Sequence, residues 1–170
     1  MATTPPTSLT DDLSLLLSRE LDSFQRELAL FPDDESMWRA SDGVLNAAGN
    51  LALHVAGNLR HFVGAVMGGT GYVRDRDAEF ARRSGTRAEV IAELADAVWT
   101  VQAVLARLTE ADLDTELTPP GVPAPITTRR FLVHLCVHAG FHLGQVGYLR
   151  RTMLGDTRST GSVSVARLAS

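Results

Sequence analysis

The sequence predicts an all-α fold of four long helices. Three observations carry this: four stretches repeat their apolar residues at threes and fours, none alternates as a strand between hairpin turns, and proline or glycine closes three of the four. At 170 residues the chain fits a single domain, residues 1–170, large enough to bury an apolar core without disulfide staples.

The first helix, about Asp11 to Phe31, places Leu13, Leu16, Leu17, Phe24, Leu28 and Phe31 on one face and stops at Pro32, whose ring disfavours helix at the residue before it. Trp38 follows in the connector, where it can plug one end of the core. The second helix, about Val44 to Met67, is rich in Ala and Gly, which lets a neighbouring helix approach closely, and it ends at Gly68-Gly69. Residues 68–85 then form the longest connection, a charged crossover holding Arg74-Asp75-Arg76-Asp77 and Glu79-Phe80. The third helix, about Thr86 to Leu108, opens on Thr86-Arg87-Ala88-Glu89, a capping box in which Thr and Glu satisfy orphan N–H groups reciprocally. The fourth, about Thr127 to Met153, follows the stiff loop from Thr118 to Pro125 and ends before Gly155. Residues 1–8 and 158–170 are expected to be less ordered. Four-helix domains with one long crossover place metals in their core, on side chains from facing helices.

Composition narrows the function. Apolar residues make up 45% and charged residues 21%, ordinary values for a soluble globular protein. The net charge of −4 comes from 20 acids against 16 arginines and no lysine, so no broad cationic face exists for phosphates and nucleic acid is not an expected partner. Met1 to Thr10 has neither a basic n-region nor an apolar h-region, and a cytoplasmic location is expected. No apolar run reaches the ~18 to 20 residues of a membrane helix, because His54, Asn58, Arg60 and His61 interrupt the best one. Cys136 stands alone, which excludes an internal disulfide and a thiolate-rich zinc cluster. It reads as a small core residue. Any metal site must come from histidines and carboxylates.

All five histidines fall in the second and fourth helices. His138 and His142 sit four apart, roughly one turn, so their rings leave one face close enough to chelate one ion. His54 lies in the apolar run Leu51-Ala52-Leu53-His54-Val55-Ala56 and should face inward as a third ligand. Three imidazoles with an open fourth position match a catalytic metal site better than a structural one. A single histidine on an apolar face is more often a hydrogen-bonded core residue, and spacing alone leaves both readings open. His134 extends the series, but about 12 Å of helical rise separates it from His142, so one of the three is surplus. The surplus role falls to His134, as a core residue or one that supports a ligand, with replacement of His142 the alternative. His61 reads as a rim or interface residue.

Other chemistries lack their motifs. Ala139 follows His138, so the His-Glu-x-x-His helix of zinc proteases is absent. No nucleophile elbow, phosphate loop or dinucleotide fingerprint occurs.

The stretch His134-Leu-Cys-Val-His138-Ala-Gly-Phe-His142-Leu-Gly144-Gln145 resembles the last-helix signature of the DinB superfamily, in which two histidines four apart precede a Gly-Gln pair. The segment from Gly49 to Arg60, with Gly68-Gly69 and the run Arg74 to Phe80, is similar to one uncharacterised subgroup of that superfamily. The resemblance implies an up-and-down four-helix bundle with a long crossover between helices two and three, a homodimer, and a metal site on His54, His138 and His142. The implied ion is divalent, zinc first, with nickel or iron as alternatives. The implied activity is that of a transferase or isomerase acting on a small-molecule substrate with a low-molecular-weight thiol such as mycothiol, bacillithiol or glutathione. Asn58 and Gln145 are candidates to hydrogen-bond the imidazoles, and Arg74 and Arg76 to bind an anionic group of the thiol or substrate. Leu143 departs from the family, where arginine is frequent at this position; Arg74, Arg76 or Arg150 would have to take its role. No catalytic acid or base is assigned. That lack supports the alternative of a non-enzymatic bundle that binds a metal or small ligand.

Overall fold

The computed structural model describes residues 8–120, 122–161 and 164–168. The expectation of weak order at the chain ends falls partly on residues 1–7, 162, 163, 169 and 170, which lie outside the described residues. The described chain is mostly helical, as expected.

Helix α1 spans Leu9–Ala29. It begins two residues before the expected Asp11 because Ser8 is the cap: its hydroxyl accepts the Asp11 N–H, while the Asp11 carboxylate accepts the Ser8 N–H. A 3-10 turn, Ser36–Trp38, follows. Trp38 is buried there, and its indole N–H donates to the Gly85 carbonyl at 2.7 Å, tying the turn to the start of α4, Arg87–Leu105. Helix α2 spans Ala48–Leu59 and continues as a π-helix, Arg60–Met67. The expected start at Val44 was read from apolar pattern, but Leu45 is 92% exposed and never joins the core. Every residue of α2 from Ala48 to Leu59 is buried.

The crossover is more than a loop. Asp75 caps a short helix, α3, Arg76–Ala81, by accepting the Ala78 N–H at 2.9 Å. Six residues are too few for periodicity to reveal. The capping box at Thr86 and Glu89 opens α4 as expected. Helix α5, Glu110–Asp114, and two antiparallel strands, β1, Glu116–Leu117, and β2, Ile126–Thr127, bracket the proline-rich loop. No strand was expected, and two-residue strands are too short to show alternation. Helix α6, Thr128–Leu154, is capped by Thr127 and ends at Gly155, whose φ of 62° is the left-handed value glycine adopts freely.

α1 packs against α4 and α6, and α2 packs against the same two helices and α3. Leu17, Leu21, Phe24, Val55, Leu59, Leu94, Leu132 and Leu135 lie in their shared core. Arg150 is wholly buried beside it. Its guanidinium donates to Glu27 at 2.7 Å, Asp156 at 2.6 Å and the Arg158 carbonyl at 2.7 Å, joining α1, α6 and the residues after Gly155. Among the described residues, no helix is long and apolar enough to cross a membrane.

Buried Asn50 fixes the crossover to α2. Its amide donates to the carbonyls of Glu79 at 2.9 Å and Arg82 at 2.8 Å, and its Oδ1 accepts the Ala47 N–H at 3.3 Å. Asn50→Leu leaves these groups unpaired and should destabilise the protein by about 1–3 kcal/mol in urea unfolding.

Candidate metal centre

The wholly buried α2 carries His54 into the interior, and α6 presents His138 and His142 from successive turns. The three Nε2 atoms converge: His138 Nε2 lies 3.2 Å from His54 Nε2 and 3.1 Å from His142 Nε2. The three ring planes meet at 76–88°, with centroids 4.6–5.1 Å apart. Nitrogens bound at about 2.0–2.1 Å to one tetrahedral zinc sit about 3.3 Å from each other, so the spacing fits a shared divalent ion. Among the described residues this is the one group of three or more such side chains that could hold a metal.

Protonation favours the same use. Burial, reinforced by His142, His54, His134 and Arg74, pushes His138 down to about 3, and burial also lowers His142 despite its contact with Gln145. Both rings are neutral at physiological pH, the form that ligates.

Behind two of the rings stand oxygen acceptors. Glu79 Oε2 lies 3.1 Å from His54 Nδ1, and Gln145 Oε1 lies 2.7 Å from His142 Nδ1. A proton on each Nδ1 satisfies these oxygens and leaves the Nε2 lone pairs aimed at the common centre. Glu79 is 8% exposed. Burial would raise its pKa, but hydrogen bonds from Arg74 and His54 prevail and hold it below the usual carboxylate range. Arg74 grips both carboxylate oxygens, with Nε at 2.7 Å and Nη2 at 2.8 Å, and its Nη2 comes within 3.0 Å of His54 Nδ1 as both converge on Oε2.

The structure therefore brings together His54, His138, His142, Gln145 and Arg74. Arg74 serves Glu79, however, rather than standing free at a mouth for an anion. Arg76 is exposed, stacks over Phe80 with Cζ 4.9 Å from the ring centroid, and pairs with no acid among the described residues; the Phe80 ring is 4.6 Å from that of His54. Asn58 is buried with no hydrogen-bond partner for Oδ1, so no bond to an imidazole supports its expected role. His134 stands outside the triad, exposed rather than in the core, stacked between Phe131 and His138. Cys136 packs against the core, its thiol pushed up to about 11 by burial. Leu143 is a core residue, and Arg150 is consumed by Glu27 and Asp156, so it cannot replace an arginine there.

Glu79 is the residue that sequence reasoning left without a role. One signal was available: Gly57 interrupts α2 three residues after His54, where glycine costs a helix about 1 kcal/mol against alanine. A Cβ at Gly57 would lie 2.1 Å from Glu79 Oε1. The glycine makes room for the carboxylate.

Helices enclosing three inward imidazoles, two of them backed by oxygen acceptors, define a helical protein with a candidate three-histidine metal centre. The chain belongs to the DinB superfamily, whose family model matches residues 16–146. A crystal structure described as a conserved protein from Enterococcus faecalis is similar to it, with a TM-score of 0.73 and 20% identity over 89% of this chain and 100% of that one. No curated protein matches the chain.

Two predictions follow from this geometry. Gly57→Ala and Glu79→Gln should each weaken metal affinity about 10–100-fold in competition with a chelating dye, the first by displacing the carboxylate and the second by removing its charge. The metal-free protein should also lose stability as pH falls. Above the ordinary value of 6.5, His138 is neutral in both states; below it the unfolded chain binds a proton that the folded chain refuses until about 3. The denaturant midpoint in chelator should decline across that window, and less steeply in His138→Gln.

Proposed function

We propose that this chain is a divalent-metal-dependent enzyme, a transferase or isomerase that depends on a low-molecular-weight thiol and acts on a small-molecule substrate. The observation that carries the reading is the convergence of three Nε2 atoms with Glu79 and Gln145 behind two of them. An ion held by His54, His138 and His142 would supply Lewis acidity, the chemistry that acidifies a thiol. Zinc suits three imidazoles, with nickel and iron as alternatives.

The chain's own residues supply orientation. Glu79 and Gln145 fix the tautomers of His54 and His142, and Arg74 keeps Glu79 charged and in place. Arg76, on its Phe80 platform, offers a guanidinium to a carboxylate of the thiol. The contacts among α1, α2, α4 and α6 support an up-and-down four-helix bundle. Val133, Val137 and Phe141, each four residues apart and exposed on α6, support a homodimer, and a net charge of −4 without any lysine argues against a nucleic-acid partner.

One observation favours the alternative of a non-enzymatic metal- or ligand-binding bundle. Glu79, which hydrogen-bonds His54, is also held by Arg74 and has little capacity left to act as a base.

Elemental analysis of natively purified protein beside a His138→Ala, His142→Ala double variant tests the centre. The expected result is about one divalent ion per chain, lost in the variant. Metal-loaded protein should then consume thiol with at least one of a panel of electrophiles. Metal without thiol consumption, joined to a large rise in melting temperature on loading, selects the binding bundle.

A further inference from the structure

A cleft of about 630 Å³ opens beside the triad, lined by His142 and Gln145 at one place and by residues 41–46, Leu51, Tyr148, Leu149 and Thr152 elsewhere. Its size is that of small-molecule sites, roughly 300–1,000 Å³. The charge pattern is selective. None of the chain's 16 arginines lines the cleft, and its one acid or base besides His142 and Tyr148 is the exposed Asp42. Away from the triad, an anion would meet no cationic side chain here and one carboxylate, which favours an uncharged occupant.

Val44, Leu51, Tyr148 and Leu149 give the cleft apolar walls. Leu45, 92% exposed on the rim, gains by closing over an apolar occupant, and Gly43, with φ of 78° and open space around it, leaves that segment free of packing on one side. The Gln145 carbonyl is engaged by His142, which leaves the amide N–H groups of this cleft-lining residue as its donors.

We infer that this cleft holds an uncharged small molecule with an aromatic or aliphatic body and a hydrogen-bond acceptor, such as a carbonyl, directed at Gln145 beside the metal centre. In the proposed reaction it is the second substrate, while the carboxylate-bearing thiol is held on the Arg76 side. Only that assignment as substrate rests on the proposed function; occupancy of the cleft does not depend on a metal.

The test uses the full chain, metal-loaded and chelator-treated, titrated with the uncharged fluorophore N-phenyl-1-naphthylamine and with its anionic relative 1-anilinonaphthalene-8-sulfonate. Saturable binding of the neutral probe in both preparations is expected, roughly ten-fold tighter than that of the sulfonate. Thr152→Trp, which fills the cleft from an exposed position, should weaken it roughly ten-fold, and Tyr148→Ala, which removes a wall, should weaken it in a protein whose circular dichroism melt is unchanged. No saturable binding to the native chain, equal binding by both variants, or preference for the sulfonate overturns the inference. So does probe binding that vanishes as rising protein concentration drives dimerisation, followed by sedimentation, which would make the cleft a face for a second copy. Elemental analysis of the same samples separates the two readings: binding without metal in native protein sinks the metalloenzyme and leaves the cleft, whereas metal without binding does the reverse.

Discussion

The buried carboxylate of Glu79 is the constraint on which the arrangement of the centre depends. A carboxylate removed from water costs several kcal/mol unless it is paired and hydrogen-bonded, and here it receives Arg74 on both oxygens and His54 on one. Each partner needs the others. Without Arg74 the charge would be uncompensated, and without Glu79 the His54 ring would lose what selects its tautomer and the half-buried Arg74 would lose its acid partner. The crossover exists in its observed form to deliver this group: Asp75 starts α3, Asn50 grips the backbone at Glu79 and Arg82, and Gly57 removes the Cβ that would otherwise occupy the carboxylate's position.

This explains which parts of the protein were legible in the sequence. Long helices announce themselves through repeated burial, and chemically specific ends such as the Thr86 box and Gly155 placed the start of α4 and both ends of α6 within a residue, whereas the end of α4, expected at Leu108 with no glycine or proline to mark it, falls at Leu105. His138 and His142 were legible for the same reason, since one turn of helix relates them by arithmetic. His54 was legible because a histidine amid alanines and leucines in a helix must face something polar. Glu79 obeyed no such rule. It reaches His54 across 25 residues of chain through a six-residue helix, a contact set by tertiary packing that no local period records.

The arginines show the same limit from the other side. Arg74, Arg76 and Arg150 were equivalent as letters, each a possible anion site. Burial separates them: Arg150 holds α1, α6 and residues 156–158 together, Arg74 serves Glu79, and of the three only Arg76 has no acid partner among the described residues. Composition counts charges, whereas function depends on which charges remain uncompensated after folding. Leu143 follows the same rule, since it lies in the apolar core, where an arginine would have to be buried with a paired acid.

The two flanks of the triad consequently differ in stiffness and polarity. On the His54 side the buried Glu79 is matched by Arg74, the backbone is pinned by Asn50, and Gly57 leaves room for the carboxylate that a Cβ there would take. On the His142 side the wall is a loop whose leucine lies in solvent, and the polar contact is a single amide on an exposed side chain. A rigid half suits what must stay constant, the ligand geometry and tautomers of a metal site, whose tolerance is a few tenths of an ångström. A yielding, apolar half suits what varies in size and shape. Discrimination between occupants would then come from the loop and the last turns of α6, and could change through substitutions there without disturbing the imidazoles.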